Sequence, residues 1–333
     1  MKVIIPIAGV GTRLFPLTYT KHKALLLVAG KPGLDYILDE LKEHDVSEII
    51  FITGYLKEQI EEYVIKKYPD FKFRFIEQKV RDGTAGAVKL TEPYVDEPIF
   101  LVYADAIFDT NLSLMNKLKD DEDGLIWVQT RKDWNRMGVC VLNKEGYLTK
   151  FVEKPKEFIS DLCSIGVYYI KDYKALFEGI KHIYDNKITI KGEYYVVDAM
   201  VHMIKQGAKF KCPEISSWHD FGVPATLLET NRIYLDKGRN KTIKTENSKI
   251  IPPVHIADGA KIKNSEIGPY VTIAKGVEIN NSTVKDSIID ERTKIIDAFV
   301  EKAIIGEDVQ LTGKFKELML GDHSVVVGEP YKK

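Results

Sequence analysis

Apolar residues in the first half of the chain switch between two periods. Residues 3–8 form a short continuous apolar run that stops at Gly9, as a buried strand would. Leu34, Ile37, Leu38 and Leu41 fall at i, i+3, i+4 and i+7, which predicts an amphipathic helix over 34–44. A strand over 49–53 follows, then a helix over 58–67 with Ile60, Tyr63 and Val64 on one face. Over 71–78, Phe71, Phe73 and Phe75 are separated by Lys72 and Arg74, the alternation of a partly exposed strand. A helix over 85–90 and a buried strand over 99–103, leading to Asp105, complete the series. Strands alternating with helices of this length predict an α/β fold built on βαβ units and a mainly parallel sheet. Ligands of such sheets bind beyond the carboxyl ends of the strands, and both Asp105 and the loop after Ala8 fall there.

The texture then changes twice. Residues 125–129, 138–142, 148–153 and 165–170 read as strands, followed by helices over 174–184, 195–205 and 225–235, with Gly238 as a stop. After about Lys249 an aliphatic residue recurs roughly every six positions, with small or Gly, Asn and Asp residues between, from Ile251 through Ile262, Ile273 and Ile279 to Val325. A six-residue period of this kind predicts a parallel β-helix, each repeat forming one flat side of a coil. The expected organisation is therefore two domains, 1–240 and 241–333. A solenoid buries its core only by stacking neighbours, so a short one calls for an end cap or a partner surface. A homo-oligomer is the expectation.

Charge narrows the partners. With 48 basic and 49 acidic residues the formal net charge is −1, which leaves no global field for nucleic acid or an anionic membrane. Phosphate recognition must then be local. Cys140, Cys163 and Cys212 are odd in number and follow no CxxC spacing, which argues against a disulfide framework or a zinc site. The apolar N-terminus meets Gly9 and Gly11 too early for a signal peptide, and no apolar stretch reaches the roughly 20 residues of a membrane span. A cytoplasmic protein is expected.

The segment Ala8-Gly9-Val10-Gly11-Thr12-Arg13 at the end of the first strand carries the candidate chemistry. Two glycines let backbone N–H groups approach and point at phosphate oxygens. Leu14 stands where a dinucleotide fingerprint would have its third glycine, and no Gly-Lys-Ser/Thr follows as in a P-loop. A bare GxG is as well explained by a tight βα turn. Arg13 directly after it, with Lys21 and Lys23 beyond, turns the segment into a candidate polyphosphate site.

The run from Gly9 to Thr18, with Lys23-Ala-Leu-Leu-Leu-Val28 and Gly30-Lys-Pro32, resembles the signature of the sugar nucleotidyltransferases, also called NDP-sugar pyrophosphorylases. Glucose-1-phosphate thymidylyl- and uridylyltransferases belong to that family. The resemblance extends to near Leu235 and implies a Rossmann-like nucleotidyltransferase domain with a mixed, mainly parallel sheet, followed by a left-handed parallel β-helix as in the family's longer members. It also implies roles. Arg13 and Lys23 would be catalytic; Ala8, Gly9, Gly11, Thr12 and Arg13 would hold the nucleotide phosphates; Gln78, Gly83 and Thr84 would recognise the base. Gly138, Glu153, Lys154 and Gly166 resemble the sugar-phosphate elements. Asp105 and Asp220 resemble the two aspartates that bind Mg2+.

Three departures stand out. Ala104 replaces the glycine that usually precedes the first aspartate. His22 and Ala24 replace the prolines around the signature lysine, removing stiffness from its loop. Lys21, two residues from Lys23, competes with it for the same phosphates. The implied substrates are a nucleoside triphosphate and a sugar 1-phosphate. A dTTP or UTP base is favoured because Gln78 can pair with the imide edge, and glucose 1-phosphate is the family default. The attacking phosphate is already ionised, so positioning and charge neutralisation carry the reaction without a general base. Two alternatives remain: a bifunctional enzyme whose β-helix transfers acyl groups, and a catalytically silent regulatory subunit.

Overall fold

A computed structural model of the chain describes residues 1–331; Lys332 and Lys333, the end of the expected second domain, lie outside the described residues. The chain divides into two compact units that interleave in sequence. The first comprises Met1–Gly9, Leu38–Ala104 and Phe108–Trp218; the second comprises Val10–Ile37, Asp105–Ile107 and the chain from His219 onward.

The first unit is built on a mixed sheet. Strand Lys2–Pro6 lies between Glu48–Thr53 and Ile99–Val102, parallel to both, and Phe73–Glu77 extends the parallel part. Val3, Ile4, Ile5, Ile49 to Ile52 and Ile99 to Val102 are all buried. Both faces of these strands are covered, which is why they read as continuous apolar runs rather than as alternation. Beyond Ile99–Val102 the sheet turns antiparallel: Leu162–Ile170 pairs with Ile99–Val102 and with Gly124–Thr130, and Gly138–Leu142 pairs with Leu148–Glu153. The expected mainly parallel sheet is thus mixed, with Phe210–Lys211 again parallel to Gly124–Thr130 beyond the antiparallel strands. The outermost antiparallel pair has a local reason. Asn143 Oδ1 accepts from the N–H groups of Glu145 and Tyr147, and Gly146 adopts φ 82°. That short turn can join only antiparallel neighbours, whereas a parallel return needs a crossover.

Helix ends also differ slightly from expectation. The helix expected over 34–44 spans Gly33–Leu41. Phe71 lies outside the strand Phe73–Glu77, its N–H donating to the Tyr68 carbonyl in a turn. Helices Tyr173–Asp185 and Val196–Lys205 supply Leu176, Ile180, Ile183, Met200 and Met203 to the core of this unit. Asp172 caps the first of them through the Ala175 N–H at 3.0 Å.

In the second unit the C-terminal strands form parallel ladders in which each rung is the next turn of the chain. Lys261 lies beside Glu278, Glu278 beside Lys294, Lys294 beside Gln310, and Gln310 beside Val325. A second ladder runs from Val254 and Val271 through Ile288 and Ile304 to Met319. Ile256, Ile262, Ile267, Ile273, Ile279, Val284, Ile295 and Leu311 fill the interior. Small hydroxyls bind one turn to the next: Ser265 Oγ accepts from Ser282 N, 17 positions on, and Ser282 Oγ accepts from Ala298 N, 16 positions on. These bonds satisfy backbone donors that would otherwise be buried without a partner.

A second cluster in this unit joins the segment after Gly9 to the rest. Leu14, Leu17, Leu26 and Val28 are buried with Phe221, Leu227, Tyr234, Ile288 and Ile304. Each such side chain contributes about 1.5–3 kcal/mol on burial. Helix Pro224–Tyr234 carries Asn231, whose Oδ1 accepts from Ala29 N at 2.9 Å and from Thr272 Oγ1 at 2.7 Å. The helix continues as one wide turn, Leu235–Arg239, broken at Gly238 where φ is 98°.

Candidate active site

Within the second unit four expected residues converge. Gly11 adopts φ 71°, and a Cβ there would lie 3.1 Å from Lys23 Cβ, so the lysine stem runs directly beneath the turn. The Gly11 carbonyl accepts from Leu14 N and from Thr18 Oγ1, both at 2.9 Å, fixing the turn around Thr12 and Arg13. Lys23 Nζ stands 3.7 Å from Asp105 Oδ2. The Phe221 N–H donates to the Asp105 carbonyl at 3.1 Å, which brings Asp220 beside Asp105. A Cβ on Gly222 would lie 2.9 Å from Asp220 Oδ1 and 3.2 Å from Arg13 Nη2, so carboxylate and guanidinium share one glycine.

Asp220 is the most constrained of the four. Its Oδ1 accepts from Gly222 N at 2.6 Å and its Oδ2 from Thr226 Oγ1 at 3.4 Å, while Thr230 Oγ1 donates to its carbonyl. Burial pushes its carboxyl above the usual range and the Asp105 charge adds to this, against the Gly222 N–H and Arg13. The negative charge of Asp105 beside the Asp220 carboxyl makes a place where a cation is favoured. His219 packs edge to face on Tyr234, with ring centroids 6.0 Å apart. Among the described residues no group of three or more acidic, His or Cys side chains forms a denser metal cluster. Ala104 is buried and is not among the residues with positive φ, so the methyl group that replaces glycine carries no backbone penalty.

Lys21 does not compete with Lys23. Its Nζ is paired with Asp290 and Glu307, and its side chain is only 16% exposed. His22 Nδ1 accepts from Ala24 N at 3.1 Å, closing the turn at Lys23–Leu25 where prolines were expected to supply stiffness.

Ala8 and Gly9 belong to the first unit, where the other expected residues form two groups. Gln78 Nε2 donates to the Gly83 carbonyl at 3.3 Å, and Gly83 adopts φ 111° ahead of helix Thr84–Lys89. Thr84 Oγ1 accepts from Val196 N at 3.0 Å, which leaves its hydroxyl proton and one lone pair for other partners. The second group surrounds Lys154, at φ 47°, whose Nζ lies 3.3 Å from Glu153 Oε1 and donates to Tyr195 Oη at 3.1 Å. Tyr195 Oη in turn donates to Glu193 Oε2 at 2.6 Å. Burial raises the Glu153 carboxyl; Lys154 opposes the shift and Asp198 adds to it. Asp198 Oδ2 is buried without a hydrogen-bond partner, and burial raises that carboxyl too. Gly138 and Gly166 have packing reasons to be glycine: a Cβ would fall 2.9 Å from Phe151 and 2.5 Å from Tyr103, respectively.

Sequence reasoning missed Tyr195, Asp198, Thr226 and the role of Gly222. Asp198 left one signal, an acid in the first turn of an otherwise apolar helix start. Thr226 left none, since a threonine after Pro224 reads as ordinary helix.

Comparison with known proteins defines the class. A family model described as Nucleotidyl transferase matches residues 2–237, and the chain belongs to that family. It is 36% identical over 264 residues to the bifunctional protein GlmU of Methanocaldococcus jannaschii, a match covering 78% of this chain and 61% of that relative. It is 31% identical to the UTP–glucose-1-phosphate uridylyltransferase AglF of Haloferax volcanii, covering 67% of this chain and 92% of that one. A glucose-1-phosphate thymidylyltransferase of Streptomyces antibioticus is 28% identical, with 98% and 99% covered. A solved UDP-glucose pyrophosphorylase, 23% identical, shares the fold with a TM-score of 0.61 over 71% of this chain and 98% of its own.

Proposed function

We propose that the chain is a sugar-1-phosphate nucleotidyltransferase, joining a nucleoside triphosphate to a sugar 1-phosphate with release of pyrophosphate. The observation that carries this reading is the convergence of Arg13, Lys23, Asp105 and Asp220. Arg13 and the N–H groups of the Gly9–Thr12 loop hold the β- and γ-phosphates and stabilise the departing pyrophosphate. Lys23 neutralises the α-phosphate, the group attacked in line by the sugar phosphate. Asp105 and Asp220 would hold Mg2+, an ion that commonly takes one or two carboxylates together with substrate oxygens and water. When bound, the ion supplies charge neutralisation between two anions. Gln78, Gly83 and Thr84 take the base; Gly138, Glu153, Lys154 and Gly166 take the sugar phosphate, with Tyr195 and Asp198 behind them.

Two of the relatives are named for glucose 1-phosphate, one as a UTP-dependent uridylyltransferase and one as a thymidylyltransferase, and glucose 1-phosphate with UTP or dTTP is the pairing preferred here. The parallel ladders support a β-helix; we take it as left-handed over 241–333, attached to a catalytic domain over 1–240, in a cytoplasmic homo-oligomer. Among the described residues no helix is long and apolar enough to cross a membrane. His255 does not favour acyl transfer: its Nδ1 lies 3.0 Å from the Arg239 carbonyl, and its ring is lodged against the Gly30 backbone. A pyrophosphate-release panel of triphosphates against sugar 1-phosphates with Mg2+ tests the reading. Release with at least one pair is expected; none with any pair points to a silent regulatory subunit.

A further inference from the structure

The C-terminal ladders hold the loop that carries Lys23 at three successive turns. Strands Ile288–Ile289, Ile304–Ile305 and Met319–Leu320 stack in register, and each is followed by a turn: Asp290-Glu291, Gly306-Glu307 and Gly321-Asp322. Lys21 Nζ is paired with Asp290 from the first turn and with Glu307 from the second. Thr20 Oγ1 donates to Asp322 Oδ2 of the third at 2.6 Å. Asp322 Oδ1 accepts from Glu307 N at 2.7 Å, tying the second and third turns together. The Pro16 ring and carbonyl lie against Gly321, where a Cβ would come within 3.2 Å of both. The outer side of the cluster is closed by Arg292, which binds Glu307 at 2.6 Å and Asp308 at 2.9 Å.

We infer that Lys21 is a positioning residue for nucleotidyl transfer, which the C-terminal ladders hold through Asp290 and Glu307 so that Lys23 stays in register with Asp105. The inference rests on the proposed function for the role of Lys23. Three facts carry it. Lys21 is buried and doubly neutralised, so it is not itself a phosphate ligand. Only His22 separates it from Lys23, and His22 is buried and closes the turn onto Ala24, so a displacement at Lys21 passes directly to the next lysine. The prolines that would stiffen this loop are absent, so the ion pairs and the Thr20 and Pro16 contacts add to the His22 turn in fixing it. A misplacement of about 1 Å in a group bearing on the reacting atoms costs on the order of 10²-fold in rate.

The test compares Lys21→Met, Lys21→Arg, the pair Asp290→Asn with Glu307→Gln, and the combination of Lys21→Met with that pair. For Lys21→Met we expect kcat to fall by about 10²-fold while the KM for sugar 1-phosphate stays within about twofold, because only the transition-state contact is disturbed. Lys21→Arg should recover most of that loss. The combined variant should be no worse than Lys21→Met, since members of one network are non-additive. Amide hydrogen exchange reads the same loop without any substrate: residues 17–25 should exchange at least tenfold faster in Lys21→Met, with strand Lys2–Pro6 unchanged. Unchanged exchange over 17–25, or a kcat equal to that of the parent, overturns the inference. Faster exchange in a chain that releases no pyrophosphate in any variant or in the parent keeps the clamp and overturns the proposed reaction instead.

Discussion

Replacing Gly83 by alanine tests how the turn proposed to recognise the base is built. Gly83 sits at φ 111°, ψ −178°, a region open essentially to glycine alone. A Cβ there would lie 2.3 Å from the Tyr194 carbonyl oxygen and 2.7 Å from its nitrogen. Those two atoms are in use: Ala85 N donates to the carbonyl at 3.0 Å, and Tyr194 N donates to the Asp82 carbonyl at 2.7 Å. The turn must therefore open and lose both bonds. Backbone strain of about 1–3 kcal/mol and two bonds at about 1 kcal/mol each, less about 0.4–1 kcal/mol from a stiffer unfolded chain, leave a loss of about 3 kcal/mol. Gly146→Ala is the control, because Gly146 also has positive φ but nothing lies within 4 Å of its Cβ position. Its cost is the left-handed backbone alone, about 1 kcal/mol after the same offset. In thermal melts, at about 2–4 °C per kcal/mol, Gly83→Ala should lower Tm by roughly 6–12 °C and Gly146→Ala by about 2–4 °C. The KM for the nucleoside triphosphate should rise in Gly83→Ala only. Equal melting points for the two variants would refute the steric argument, whatever the kinetics show.

Other outcomes follow from single contacts. Asp105→Asn should cut kcat by about 10²-fold or more with Mg2+ while sugar 1-phosphate binding changes little, and unchanged turnover would remove Asp105 from the reaction. Tyr195→Phe removes the hydroxyl that binds both Lys154 and Glu193, and should raise the KM for sugar 1-phosphate by about tenfold, equivalent to about 1.4 kcal/mol; an unaltered KM would exclude that role. Burial alone would raise the Glu122 carboxyl, but Lys211, the Lys119 N–H and Tyr147 outweigh it and hold the group down to about 2. Because its folded value lies below its unfolded one, the stabilisation is complete above about pH 4.5 and disappears as pH falls toward 2. Glu122→Gln should then cost about 2 kcal/mol near neutral pH, discounted for the partial exposure of Lys211, and almost nothing near pH 2. A denaturation series against pH checks this, and a pH-independent difference would count against it.

Much of this protein is written in local pattern. The apolar run before Gly9, the helical spacing of Leu34 to Leu41 and the six-residue recurrence after Lys249 each depend on period alone, so they predict strand, helix and stacked ladder without tertiary information. Gly11 was legible as a turn glycine because a left-handed backbone leaves a residue-type signature. What the sequence could not show depends on partners far along the chain. The sheet reverses direction where Leu162–Ile170 pairs with Ile99–Val102, more than 60 positions earlier, and no local pattern announces that pairing. Asp198 and Thr226 became visible only when Glu153 and Asp220 were found beside them. Lys21 shows the difference most clearly. In sequence it is a second lysine beside the signature one; in the structure Asp290, 269 positions away, and Glu307, farther still, neutralise it. A side chain's charge is local, but its availability is set by what folding places against it.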